Sequence, residues 1–214
     1  HEINIVVILR KARVHAPLAR ALYNLLAAGV EVQDVVSFYE VIFRKIPLSN
    51  LDEPWFLENH IGQRKFYDDL KRGLEAAAAW TLIALLLPIE LAIALLVKLT
   101  SAGPAIYTQT RGGRMGRPFA LHKFRTMKAD AEKDGARWAE QKDARSTPIG
   151  RLLRHTHLDE LPQLWNIARG ELSFVGPRPE RPEFVNILKE QIPHYEMRLL
   201  VKPGVTGWAQ LNYR

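Results

Sequence analysis

The chain has 214 residues, 47% hydrophobic and 25% charged, a composition of folded domains rather than of a disordered polypeptide. It contains no cysteine, which excludes a disulfide framework, a thiolate metal site and a cysteine nucleophile. The net charge of +7 is unevenly placed: residues 1–97 carry 10 Lys and Arg against 11 Asp and Glu, and residues 98–214 carry 20 against 12.

Residues 3–9 are a short β-rich run. Residues 17–28 predict a helix, with Pro17 near its start and Gly29 as its stop. Residues 30–36 predict a second strand and residues 37–45 a short helix, an α/β pattern. No Gly-x-Gly-x-x-Gly follows the first strand, so dinucleotide binding has no support. Residues 47–62, with Pro, Asn and Trp, are expected to be a linker. The chain starts in what reads as mid-strand, stops on Asn212-Tyr213-Arg214 and shows no signal peptide, so the expectation is a fragment cut at both ends.

Residues 76–97 depart from apolar or small types only at Thr81, Pro88 and Glu90. About 20 apolar residues suffice for a spanning helix. However, Pro88 removes a backbone donor and favours a kink, and basic residues flank both ends: Lys71 and Arg72 before, Lys98 and the arginines after. The positive-inside bias puts both flanks on the cytoplasmic side. A re-entrant helix over about 74–97, bent at Pro88, meets both conditions and keeps Glu90 near the interface or protonated. The alternative is the core helix of a soluble protein.

From Lys98 to Lys128 there are seven basic residues and no acid, a face for phosphates of nucleotide, nucleic acid or anionic lipid, or a plain solvated surface. Within it, residues 105–110 and 118–124 predict a hairpin whose tip, Arg111-Gly112-Gly113-Arg114-Met115-Gly116-Arg117, is glycine-rich without being a P-loop. Lys123 and Arg125 of Lys123-Phe124-Arg125-Thr126-Met127 share a face if that stretch is extended. Residues 130–143 are a charged, mostly helical surface stretch.

The candidate site is Asp159-Glu160, inside Arg154-His155-Thr156-His157-Leu158-Asp159-Glu160-Leu161-Pro162-Gln163. A helix is expected to run from here to Ala168 and to stop at Gly170. Its cap is Thr156 or, better, Asp159, which leaves Pro162 in the first turn where proline is tolerated. Asp159 could be a helix cap and nothing more. A helix start is also an anion site, and adjacent side chains on a helix diverge by about 100°, so one carboxylate could hold a metal while the other attacks phosphorus. Prolines on both sides of Arg178, in Gly176-Pro177-Arg178-Pro179-Glu180-Arg181-Pro182, limit its backbone freedom and suit a guanidinium aimed at phosphate. Lys202-Pro203-Gly204-Val205-Thr206-Gly207-Trp208 reads as a structural turn.

Over about 71–212 these motifs, in this order, resemble the bacterial sugar transferases that move a hexose 1-phosphate onto polyprenyl phosphate, the monotopic phosphoglycosyl transferases, and within them the exopolysaccharide-type branch. The resemblance implies an α/β, membrane-associated and mostly helical catalytic domain at 63–214, with the re-entrant helix and a small hairpin. It makes residues 1–62 the C-terminal remnant of a Rossmann-like domain plus linker. It implies a bacterial inner-membrane enzyme with its catalytic domain on the cytoplasmic face. Asp159 would attack the β-phosphate of a UDP-sugar, UMP would leave, and polyprenyl phosphate would take the phosphosugar from the aspartate. Mg²⁺ would be held by Asp159 and Glu160; Lys123, Arg125, Arg154 and Arg178 would be phosphate ligands. The partners implied are UDP-sugar, polyprenyl phosphate and membrane lipid, with no nucleic acid. Two departures from the family pattern stand out: Leu74-Glu75 replaces an aromatic or apolar residue followed by Asp, and the family's chain normally continues with a further amphipathic stretch. The alternative function is a membrane-docked module that binds nucleotide or anionic lipid without turnover. No motif identifies the sugar or the oligomeric state.

Overall fold

A computed structural model of the chain describes residues 3–9, 15–58, 65–128, 131 and 143–212. The chain divides into two compact units, His1–Gly62 and Gln63–Arg214.

The first unit is strand, helix, strand, helix: β1 (Ile5–Ile8), α1 (Ala16–Ala27), β2 (Glu31–Asp34) and α2 (Val35–Phe43). The strands pair in parallel, Ile5 against Glu31 and Ile8 against Asp34, as a helical crossover requires. Pro17 lies in the first turn of α1, and Gly29, at φ 83°, lets the chain turn out of it. The expected linker carries structure of its own, a 3-10 turn at Leu48–Asn50 and a short helix, α3 (Glu53–Glu58). Asp52 Oδ1 accepts from Trp55 N at 3.0 Å, and Pro54 occupies the first turn, a start signal that overrides the linker composition.

The second unit is organised by α4 (Lys65–Thr100), 36 residues with Pro88 inside. Helical structure continues on both sides of Pro88, so a change of direction there is a bend within one helix rather than a gap between two. At 1.5 Å per residue such a helix is about 54 Å long. One stripe of it is covered. Ala79, Leu82, Ile83 and Leu86 pack with Leu121, Leu164, Ile167 and Leu172, and Ile93, Ala94 and Val97 pack with Phe124, Leu153, Leu158 and Leu161. The spacing is helical and keeps its phase across Pro88. The rest of the apolar surface is bare: Leu74, Leu85, Leu91, Leu95 and Leu99 are each more than half exposed, and only 11% of the most apolar stretch is buried. A soluble core helix would be covered, so this surface fits a membrane.

Against the stripe lie an antiparallel hairpin, β3 (Ile106–Gly112) and β4 (Pro118–Phe124), and two short helices, α5 (Pro148–His155) and α6 (Gln163–Ala168). Asn166, fully buried, fastens α6 to β4: its Oδ1 accepts from His122 N at 3.1 Å and its Nδ2 donates to Ala120 O at 2.7 Å and Glu171 Oε2 at 2.8 Å. Its side-chain oxygen and nitrogen are thereby both partnered in a fully buried site. Two three-residue strands, β5 (Ser173–Val175) and β6 (Gly204–Thr206), pair in parallel, with α7 (Pro182–Gln191) and a 3-10 segment, Tyr195–Leu200, between them, and α8 (Trp208–Asn212) closes the described chain. The helix expected over 130–143 falls almost wholly outside the described residues.

Glu75 fastens α4 to this layer. Its Oε1 accepts from Ser173 Oγ at 2.5 Å and Phe174 N at 3.3 Å, and Lys71 lies 3.7 Å away.

Candidate active site

Asp159 and Glu160 lie in a 3-10 turn, Leu158–Glu160, between α5 and α6. Thr147 caps α5, its Oγ1 accepting from Gly150 N at 3.0 Å. At the other end Thr156 is the C-cap, its Oγ1 donating to Leu152 O at 2.9 Å. His157 then takes φ 57°, a left-handed conformation uncommon outside glycine, and swings the chain into the turn. Leu158 and Leu161, on either side of the acids, pack into the cluster of Ile93, Val97, Phe124 and Leu153. The acids are therefore carried on a turn pinned from both sides to the apolar helix.

This corrects two sequence expectations. Thr156 and Asp159 form no capping box, and Asp159 caps no helix. The residue preceding α6 is Pro162, and no side chain caps it. The physical reason is Pro162 itself: it lacks an N–H and its ring crowds the preceding turn, so the chain completes one 3-10 turn and the α-helix starts behind the proline. The expected stop holds: Gly170, at φ 77°, follows α6, its N–H bonding Ile167 O at 2.8 Å.

Lys123 and Arg178 meet on one oxygen of Glu160. Lys123 Nζ donates to Oε1 at 2.7 Å and Arg178 Nη2 at 3.2 Å. Burial works to raise the Glu160 carboxyl, but the attraction and hydrogen bonds of Lys123 and Arg178 outweigh it and hold the group below the usual range. Asp159 goes the other way. Burial pushes its carboxyl up and Glu160 adds to the rise, against weaker attraction from Lys123 and Arg154. Burial also lowers Lys123, against the pull of Glu160. Two neighbouring acids thus differ in environment: Glu160 is a paired carboxylate, and Asp159 is a buried carboxyl that shares neither of these two hydrogen bonds.

The loop that presents Arg178 is held by its carbonyls. Gly204 N donates to Pro177 O at 3.0 Å, Arg198 Nη2 to Arg178 O at 2.6 Å, Arg111 Nη1 to Pro179 O at 3.0 Å and Gly112 N to Glu180 O at 2.9 Å. Four successive acceptors are satisfied by four donors from elsewhere in the unit. Arg198 also donates to Tyr195 Oη at 2.5 Å and lies over that ring. The loop's base is the β5–β6 contact: a Cβ on Gly204 would stand 2.1 Å from Gly176 N, and one on Gly176 2.5 Å from Lys202 O. Val175-Gly176-Pro177-Arg178-Pro179 and Lys202-Pro203-Gly204-Val205-Thr206-Gly207-Trp208 are therefore the two sides of one glycine-to-glycine packing. The first side carries a charge and the second supports it.

Two of the four expected basic residues lie elsewhere. β4 ends at Phe124, so Lys123 and Arg125 do not share a strand face. Arg125 is 7% exposed and donates to Ser101 O at 2.7 Å and Ser101 Oγ at 2.9 Å, at the end of α4. It is not brought to either carboxylate. Arg154 donates to Thr126 Oγ1 at 3.0 Å and Ser146 Oγ at 3.3 Å and acts on Asp159 only through its charge. Arg111 and Arg198 were missed as support for the site. Arg111 stood out only as part of a basic hairpin, and nothing in the sequence around Arg198 marks it.

Among the described residues no three His, Cys, Asp or Glu side chains form a metal-ligating group. Asp159 and the second oxygen of Glu160 remain, one or two carboxylates, which fits Mg²⁺ completed by substrate phosphates rather than a protein cage.

The chain belongs to the bacterial sugar transferase family, whose profile matches residues 66–214. It is 37% identical over 187 residues to the UDP-N-acetylgalactosamine-undecaprenyl-phosphate N-acetylgalactosaminephosphotransferase of Aeromonas hydrophila, an alignment covering 86% of this chain and 43% of that protein. It is 45% identical over 142 residues to the UDP-glucose:undecaprenyl-phosphate glucose-1-phosphate transferase of Caulobacter vibrioides, covering 66% and 53%. It is 38% identical over 147 residues to an exopolysaccharide production protein of Rhizobium leguminosarum bv. phaseoli, covering 67% and 74%. The chain thus spans about half or less of the length of the first two.

Proposed function

We propose that this member of the bacterial sugar transferase family moves a sugar 1-phosphate from a UDP-sugar to a polyprenyl phosphate, at the cytoplasmic face of a bacterial inner membrane, as a first membrane step of exopolysaccharide synthesis. The observation that carries the reading is a buried Asp159 beside a Glu160 held by Lys123 and Arg178, on a turn packed against the bare apolar helix. The named relatives supply the lipid acceptor and the UDP-sugar class, and they differ in the sugar.

In the mechanism, a carboxylate oxygen of Asp159 attacks the β-phosphorus of the UDP-sugar. A P–O bond to that phosphorus forms, the bond to the oxygen bridging the α-phosphate breaks, and UMP leaves with that electron pair. The sugar phosphate is now an acyl phosphate on Asp159. A phosphate oxygen of the polyprenyl phosphate attacks the same phosphorus, the carboxylate leaves, and polyprenyl diphosphate sugar is released with Asp159 restored. Burial makes Asp159 a stronger nucleophile once ionised, because it is poorly solvated. Lys123 and Arg178 border the space where the diphosphate charge gathers, and Glu160 keeps both cations in place before substrate arrives. Asp159, and Glu160 through its second oxygen, would hold Mg²⁺, which offsets charge on the diphosphate. The first unit is read as the end of a Rossmann-like domain on its parallel strand pair.

The test is UMP release from a panel of UDP-sugars with protein in nanodiscs, with Asp159→Asn alongside. Release that requires Asp159 supports the transferase and names the donor. Release unchanged in Asp159→Asn overturns Asp159 as the nucleophile, and no release from any donor overturns the transferase and leaves a binding module.

A further inference from the structure

Between α4, the hairpin and the start of α6 lies a cavity of about 250 Å³. Ile83, Ile106, Leu161 and Trp165 form apolar parts of its wall, and Glu90 and His122 are its ionisable members. Its position is the informative fact. Leu161 and Pro162 directly follow the turn that carries Asp159 and Glu160, so one side adjoins the acids, while His122 lines it from the hairpin face opposite to the Lys123 side chain. Ile83 and Glu90 belong to the apolar segment of α4, so the other side is the membrane helix. Trp165 stacks edge-on against Trp80 of α4 at 5.5 Å, and both rings are about half exposed, the amphipathic aromatic placement of a membrane–water boundary. The lining has few polar groups, which disfavours a nucleotide base or a sugar, whose hydroxyls and amides need several partners.

We infer that this cavity holds the isoprene units next to the phosphate of the lipid acceptor, with the phosphate toward Asp159 and the remaining chain running along the bare face of α4. The inference rests on the transferase reading above and specifies where its second substrate sits. A cavity of ~150 Å³ admits a benzene-sized guest, so this one takes roughly ten carbons, about two isoprene units. Glu90 and His122 are the exceptions to an apolar lining: Glu90 Oε1 is buried without a hydrogen-bond partner among the described residues, and His122 Nδ1 shares a 3.2 Å contact with Thr108 Oγ1. An acyl chain of a bilayer phospholipid is the competing occupant.

The two half-reactions separate the site from the activity. Ile106→Trp and Ile83→Phe fill the cavity without touching Asp159, Glu160, Lys123 or Arg178. In each variant, lipid-free UMP release per enzyme should match wild type, while KM for undecaprenyl phosphate rises about tenfold or more. The preference for undecaprenyl phosphate over a ten-carbon isoprenoid phosphate should be kept. An unchanged KM in folded variants overturns the inference, and so does loss of the lipid-free step in them. Absence of that step in wild type instead sinks the transferase reading itself. On wild-type protein, an isoprenoid phosphate with a diazirine in its first two units should label peptides containing Ile83, Glu90 or Leu161–Trp165, and a phospholipid with a diazirine in its acyl chain should not compete. Labelling confined to other peptides, or competition by the phospholipid, overturns the inference whether or not the variants fold.

Discussion

Lys123 Nζ stands 2.7 Å from Glu160 Oε1, and that contact ties strand β4 to the turn bearing Asp159. Arg178 reaches the same oxygen from a loop more than fifty residues on from Lys123. Glu160 is thus the point where three separate segments meet, and its replacement affects more than one charge.

Glu160→Gln leaves Lys123 and Arg178 without a counter-charge in a partly buried site. The expected loss is about 1–3 kcal/mol of stability, together with a large fall in UMP release as both cations lose their fixed positions. The Glu160 carboxyl is held low, so its stabilisation is present above the unfolded pKa of about 4.3 and is lost as pH falls through the folded value. Thermal melts of wild type and Glu160→Gln should therefore differ at pH 7 and converge in acid.

Asp159→Asn should behave in the opposite sense. The folded carboxyl lies above its ordinary range, chiefly through burial, so any stabilisation exists below the unfolded pKa of about 3.9 and is lost as pH rises through the folded value. An ionised Asp159 opposes folding at neutral pH. The Asn variant should melt higher than wild type at pH 7, by about 2–4 °C for each kcal/mol gained, with the gap closing below about pH 4. UMP release should drop by about 10⁴-fold or more.

Arg198 acts through the Arg178 carbonyl, so it is a positioning residue. Arg198→Met should lower kcat/KM for the UDP-sugar by about tenfold to a hundredfold, the size of effect expected when a charged group is misplaced by an ångström. Combined with Arg178→Met it should add little more, because both changes remove the same aimed guanidinium. Full additivity in the double variant would assign Arg198 to packing alone.

Gly204→Ala is expected to cost about 3 kcal/mol or more, since the added Cβ meets backbone rather than a flexible side chain. The measurement is a chemical melt, with midpoint read against Gly116→Ala. Gly116 has open space around it but φ 73°, so its substitution costs conformational strain without a clash, about 1 kcal/mol.

The hairpin, the helix before Gly29, the Gly170 stop and the long apolar helix were legible because each rests on local rules of alternation, capping and length. Asp159 and Glu160 were legible as a pair of acids; Lys123 and Arg178 stood only among four expected phosphate ligands, and their meeting on Glu160 is visible only in the structure. The turn's shape was not: two plausible caps competed, and Pro162 decided against both. Arg125 was misplaced because its role depends on where β4 stops and α4 ends, two elements brought together only by packing. Glu75 departed from the family pattern in sequence, yet a carboxylate at that position bonds Ser173 and Phe174 and fastens the helix all the same.

The covered stripe of α4, running in phase from Ala79 to Val97, packs the helix against the layer that carries Asp159. In a bilayer the helix then acts as a depth gauge. Its apolar length fixes how far the Asp159 turn stands from the plane of lipid phosphates, and adding or removing one helical turn shifts that height by up to about 5.4 Å. On the proposed mechanism that is further than a phosphate can be out of place and still be attacked, so the length of α4, as much as any side chain in the site, would set whether a lipid phosphate meets the aspartate.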